Sequence, residues 1–239
     1  MAMQGKFPDI ESSSLDYRER FSGEVGQWFL DVQAQHTASA LDGLNGESAL
    51  DVGGGHAQNV STLVNLGYKT EVLGSSSSCG SLLAEYLERR DVTFSTGSLL
   101  DLPYADQSMD VVLSYRMLAH IEDWERHIAE LCRVSRRLVI IDFPPARSFN
   151  LVSNQLFAIK KRIEKNTRPY RVFNENEITL QFEQYGFNQD YRAGQFFLPM
   201  ALHRASRSVK ISSNSELIAD KLMLKRLFAS PMITSYRRG

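Results

Sequence analysis

The stretch LDVGGGHAQNV, residues 50–60, limits what this chain can fold into more than any other. An apolar run ends at Asp51 and three glycines follow. Val60, Leu63 and Val64 then open a helical stripe that stops at Gly67. Glycine lacks the Cβ that would hold a ligand away from the backbone, and a helix N-terminus directs unpaired N–H groups towards it. A strand, glycine turn and helix in this order predict an α/β sheet with a ligand crevice at the strand's carboxyl end. A dinucleotide fingerprint would place a further glycine where this chain has Gln58, and it lacks an acid such as Asp51 just before the turn. A turn that only seats a helix tightly accounts for the same glycines.

The flanking sequence repeats the unit. Strands are predicted over 48–52, 70–73, 92–96, 109–114 and 137–143, with helices over 79–90 and 123–135. The middle strands are continuously apolar, as expected when helices cover both faces, so the fold class is α/β with a doubly wound, Rossmann-like, mostly parallel sheet. Phe21, Val25, Phe29 and Val32 predict a helix over 16–41. After Pro145 the alternation breaks, and Val152, Leu156, Ile159 and Ile163 form a stripe beside Lys160, Lys161, Arg162 and Lys165. A helix over 175–187, a strand over 188–197, a helix over 215–228 capped by Asn214 or Ser215, and a last strand from Pro231 complete the reading. The expected organisation is one domain: a helical cap (1–46), a ligand-binding core (47–144), and the remaining sheet with helical cap insertions (145–239).

Composition narrows the function classes. No apolar run approaches the roughly 20 residues of a membrane-spanning helix. The first residues show no basic-then-apolar export pattern, and Cys79 and Cys132 match neither a metal spacing nor a disulfide framework, so a reducing cytoplasm is expected. The net charge of −1 conceals a division. Residues 1–144 hold 11 basic and 21 acidic side chains, whereas residues 145–239 hold 16 and 7. A solvated basic face explains this as well as an anionic substrate or surface does.

Three segments in register, ALDVGGGHAQ, GSLLDLPYADQSMDVVLSYRMLAHIEDW and RLVIIDF, resemble the class I S-adenosylmethionine-dependent methyltransferases. The branch they resemble is the type 11 group that includes the ubiquinone and menaquinone ring methyltransferases. The resemblance covers residues 48–143 and implies S-adenosyl-L-methionine as cofactor. It implies that Asp51, Gly53 and Gly55 face the cofactor's methionyl end, that Ser98 and Leu99 lie beside adenine, and that Ser114 and Tyr115 line the site. Tyr17 would fold over the cofactor from the N-terminal helix, with Arg20 and Arg116 meeting an anionic acceptor.

The chain departs from the family at two acids. The ribose-binding carboxylate falls on Gly74, within GSSSS, and the adenine-binding acid is replaced by Ser98. Ser75, Ser76 and Ser98 offer hydroxyls there, and neutral hydrogen bonds are roughly half as strong as charge-assisted ones. On this reading Gly74→Asp restores the acceptor and leaves cofactor binding intact or tighter. His120 is the general-base candidate, with a hydrogen-bonding role in its loop as the alternative. His203 is expected at the surface, His36 and His127 in structural roles, and His56 either at the turn or in solvent.

The expected function is methyl transfer to O or C of a small or lipid-like, possibly anionic, molecule in the cytoplasm, with transient contact to an anionic membrane as an option. The alternative is a methyltransferase-like protein that binds without transferring a methyl group, or that runs another reaction with the cofactor. Nucleic-acid acceptors are disfavoured: SYRM stands after the fourth strand in place of an acid/Asn-Pro-Pro-aromatic motif, and aromatic and basic residues are not interleaved.

Overall fold

A computed structural model describes residues 8–148 and 170–239 of the chain. Its sheet comprises β1 (Ser48–Val52), β2 (Lys69–Gly74), β3 (Val92–Thr96), β4 (Met109–Ser114), β5 (Ser135–Phe143), β6 (Phe187–Gly194) and β7 (Met232–Arg238). The spatial order is β3-β2-β1-β4-β5-β7-β6. Strands β1 to β5 run parallel, while β7 is antiparallel to both β5 and β6. The order in which strands are added to the sheet reverses between β1 and β4. Their carboxyl ends therefore diverge into a crevice, as the glycine turn implied.

Side chains alternate between two apolar layers, as strand geometry requires. Leu50, Val52, Val112, Val139 and Ile141 pack with Trp124, Ile128 and Leu131 of α6 (Trp124–Val134) and with Ile178 and Phe182 of α7 (Glu175–Glu183). On the other face, Ala49, Val111, Leu113 and Ile140 meet Ala40 and Leu41 of α3 (Gly23–Leu41) and Leu63 of α4 (Val60–Asn65). Asp51 shares this second face, which places a carboxyl group among side chains of α3 and α4.

Three predicted helices differ from the structure. The helix expected over 16–41 is broken into α2 (Leu15–Glu19) and α3, after a short α1 (Pro8–Ser12). At the break the Phe21 backbone lies so close to Gly26 that a Cβ there would overlap it. The helix expected over 79–90 is a 3-10 turn over Ser77–Leu83 followed by α5 (Ala84–Glu88). The helix expected over 215–228 starts earlier. The Ser208 side chain caps α9 (Val209–Lys221), preceded by α8 (Met200–Ser206), and Met223 at φ 57° separates α9 from α10 (Leu224–Phe228). The stripe from Val152 to Ile163 and its lysines lie outside the described residues.

At the sheet's antiparallel end, the Phe182 ring stacks on Tyr236 with centroids 3.9 Å apart, and both rings are buried. Phe182→Ala would leave a void between α7 and the sheet that cannot collapse without moving β7. A loss of roughly 3–5 kcal/mol is expected, read as a lower urea midpoint with unchanged slope.

Candidate active-site crevice

The turn after β1 positions the site. Gly53 adopts φ 77°, a left-handed conformation that strains other residues, and a Cβ there would meet the Met117 sulfur at 2.6 Å. Asp51 is fully buried, and Asn59, the residue before α4, donates to both its carboxylate oxygens at 3.2 and 3.4 Å. Gln33 of α3 donates to Asn59 Oδ1 at 2.9 Å, and Arg116 donates to Gln33 Oε1 at 2.7 Å and to the Tyr17 hydroxyl at 3.2 Å. One hydrogen-bonded relay thus runs from β1 through α4 and α3 to the turn after β4 and back to α2.

Arg116 itself is held in a left-handed conformation, φ 65°, at a cost of about 1–3 kcal/mol. Its N–H donates to Asp142 at 2.5 Å, which offsets part of that cost and aims the guanidinium over the Phe21 ring. Its Nε is buried and has no hydrogen-bond partner among the described residues. Asp142 ends β5 as Asp51 ends β1, and burial raises both carboxyls, Asp51 from 3.8 to about 7. His56 follows the glycines and is buried. Burial, then the Arg116 charge, lowers its pKa to about 3, so the ring is neutral, and its Nδ1 accepts the Gln58 N–H at 3.1 Å.

Ser114 is buried beneath the crevice, between the Val52 carbonyl at 3.1 Å and His127 at 2.9 Å. Tyr115 turns towards α3, its hydroxyl 2.8 Å from that of Thr37. The Leu99 carbonyl accepts from His127 Nδ1 at 2.7 Å, and the Ser98 hydroxyl accepts the Leu100 N–H at 3.1 Å. His120 ends the short turn Leu118–His120, its ring 5.7 Å from that of Tyr170. Arg20 lies outside the relay, exposed, 3.6 Å from Glu11 and over the Tyr17 ring. His203, expected at the surface, is buried against Trp28 and Phe29, with Nε2 2.9 Å from Glu216. Among the described residues no cluster of three metal-ligating side chains occurs.

Gly74, to which the resemblance assigns the ribose-binding acid, is closely packed. A Cβ on Gly74 would lie 2.7 Å from the Cys79 Cβ and 3.1 Å from the Phe94 ring, so no carboxylate fits there and the expected benefit of Gly74→Asp is overturned. The acid beside Ser75 comes instead from α1. Asp9 is wholly buried, Ser75 donates to it through N–H and Oγ at 2.6 Å each, and the Cys79 thiol donates at 3.2 Å. Gln33, Asn59, Asp142 and Asp9 were all missed by sequence reasoning. Only Asp142, an acid closing an apolar strand like Asp51, carried a local signal.

The raised Asp51 pKa makes stability depend on pH. Between pH 4 and 7 the folded carboxyl holds a proton that the unfolded one has lost, so stability falls as pH rises through this window and levels above 7. Asp51→Asn removes this contribution. The difference between melting temperatures at pH 4.5 and 7.5 should narrow, with Asp142 supplying the residual slope in the same direction.

Residues 50–140 match the family model described as a methyltransferase domain. A demethylmenaquinone methyltransferase of Thermobifida fusca is 35% identical over 117 residues, which are 46% of this chain and 49% of that protein. The match therefore spans about half the length of that relative. A demethylmenaquinone methyltransferase of Tropheryma whipplei is 25% identical over 180 residues, 68% of this chain and 75% of that protein. The fold is similar to that of magnesium protoporphyrin IX methyltransferase from Synechocystis, solved with bound SAH, at a TM-score of 0.64, 16% identity and 93% coverage of each chain. The likenesses converge on one core: residues 50–140 are similar to a methyltransferase domain, and the fold is shared with S-adenosylmethionine-dependent methyltransferases.

Proposed function

We propose that the protein transfers the methyl group of S-adenosylmethionine to an oxygen or carbon of a small or lipid-like, anionic acceptor. One observation carries the reading. Beside the glycine turn, at the carboxyl ends of β1 and β4, the Arg116 guanidinium is hydrogen-bonded to the Tyr17 hydroxyl and the Gln33 amide oxygen, and its Nε is buried without a hydrogen-bond partner among the described residues. A partly buried cation whose side-chain hydrogen bonds go to a hydroxyl and an amide favours an anionic ligand group, which guanidinium binds with directed N–H donors.

The cofactor supplies a methyl group on a positively charged sulfur. On this reading Asp51, Gly53 and Gly55 hold its methionyl end, Ser75 and Ser76 its ribose, and Ser98 and Leu99 its adenine. Arg116 holds the anionic group, Tyr17 closes the crevice from α2, and His120 takes the acceptor's proton. His120→Ala should lower turnover about 10²–10⁴-fold, as for a lost general base, while calorimetry with S-adenosylhomocysteine shows unchanged affinity. Unaltered turnover would leave His120 a structural residue. The second reading, binding without methyl transfer, is favoured by α1 filling the ribose position. Absence of a calorimetric signal at high cofactor concentration would decide for it.

Helix α9 bears on the acceptor's chemistry. This helix buries Ser212, Glu216 and Ala219, while Ile211, Leu217 and Ile218 are exposed, as are Leu222 and Met223 beyond it. Glu216 is turned inward by the Phe197 and Leu198 N–H groups and His203, so the usual amphipathic arrangement is inverted. Each such side chain forgoes about 1.5–3 kcal/mol of burial. Lys210, Lys221 and Arg226 are exposed around the apolar face, and Asp220 is the remaining acid over residues 207–227. Apolar side chains ringed by cations suit an anionic bilayer surface, from which an amphiphilic acceptor would enter. Sedimentation with phosphatidylglycerol vesicles should fall for the triple change Lys210→Glu, Lys221→Glu, Lys225→Glu, and for wild type at high salt, with cofactor affinity retained. Equal sedimentation of both proteins would discard the membrane assignment, and concentration-dependent dimerisation without vesicle binding would give the face to a second copy.

A further inference from the structure

We infer that α1 is an intramolecular latch on the adenosine part of the crevice, with the Asp9 carboxylate competing for the groups that would receive the cofactor's ribose. The inference rests on the cofactor assignment above and adds a mode of regulation to it.

The contacts are those of a bound ligand supplied by the chain itself. Asp9 Oδ1 accepts the Ser75 hydroxyl, and Oδ2 accepts the Ser75 N–H and the Cys79 thiol. These are the donors that follow β2, where the family resemblance puts the ribose. The carboxylate retains no exposed surface, so a ligand cannot share these donors while Asp9 holds them. The next turn of chain closes the approach from the glycine side. A Cβ built on Gly55 would stand 2.4 Å from Ser13 Oγ and 2.2 Å from the Cys79 carbonyl oxygen, so protein atoms cover the face that glycine leaves open to a ligand.

Release is local. Helix α1 has five residues, with Pro8, Asp9 and Ser12 buried, and Ser12 Oγ folds back on the Asp9 carbonyl at 3.1 Å. A segment this short is held by a few contacts and can open without unfolding the sheet. Opening returns the Ser75 donors to solvent and withdraws Ser13 from Gly55, while the Cys79 carbonyl stays with the turn after β2. A ligand that binds only the open form then has its affinity reduced by the fraction of molecules that are open.

The test uses the full chain and two variants, Asp9→Ala and removal of residues 1–13, each checked for an unchanged far-ultraviolet spectrum. S-adenosylhomocysteine is titrated calorimetrically. A latch closed nine-tenths of the time predicts about tenfold tighter binding in both variants. A readout independent of the ligand is alkylation by iodoacetamide, resolved by mass spectrometry. Cys79 should label faster in both variants, while Cys132, buried on α6, keeps its rate. Binding by wild type that is unchanged or weakened in the variants overturns the latch, and weakening would make Asp9 a ligand-holding acid instead. Absence of binding in all three proteins overturns the cofactor assignment itself, and the latch with it.

Discussion

The relay from Arg116 through Gln33 and Asn59 to Asp51 is the interaction on which the crevice depends. It bonds α3 and α4 to the ends of β1 and β4, where the sheet's order reverses and backbone pairing alone would leave the helices free to shift. Each member is buried or nearly so, and a buried polar group without a partner costs about 1–3 kcal/mol. Satisfying these groups, the Arg116 Nε excepted, through one chain of contacts makes the arrangement specific: Gln33 serves Arg116 with its oxygen and Asn59 with its nitrogen. The relay also sets the electrostatics. Asp51 and Asp142 are raised by burial, and His56 is lowered by burial and by the charge of Arg116.

The same economy explains the two unusual surfaces. At β2, close packing of Cys79 and Phe94 excludes a side chain from position 74, and a carboxylate arrives from a distant part of the sequence. At the cap, Glu216 satisfies two backbone N–H groups and His203, and by turning inward it rotates the apolar side of α9 to the outside. In both places a polar requirement inside the molecule decides what stands at its edge. Among the described residues no helix is long and apolar enough to cross a membrane.

Much of the framework was legible. The ranges of β1, β3 and β4 agree with their alternating or continuous apolar runs, and α6 with the stripe of Trp124, Ile128 and Leu131, because burial against a sheet leaves a periodic trace. Helix α3 shows the limit. Its apolar stripe pointed to Val32, whereas the buried line runs Val25, Phe29, Gln33 and Thr37. Polar residues in a buried line look like solvent-facing ones until their partners are known. The inward turn of Tyr115 and the burial of His203 were hidden for the same reason.

The sequence by itself determined the doubly wound sheet, the place of the crevice and its glycine turn. These follow from local periodicity and from backbone freedom that only glycine provides. Tertiary structure decided which polar side chains meet in that crevice. Arg116 and Gln33 are separated by 83 positions and Asp9 and Ser75 by 66, and no local pattern encodes a contact across such distances. Only the assembled packing of α1 and α3 against the strand ends brings donor and acceptor to within about 3 Å, where a hydrogen bond can form.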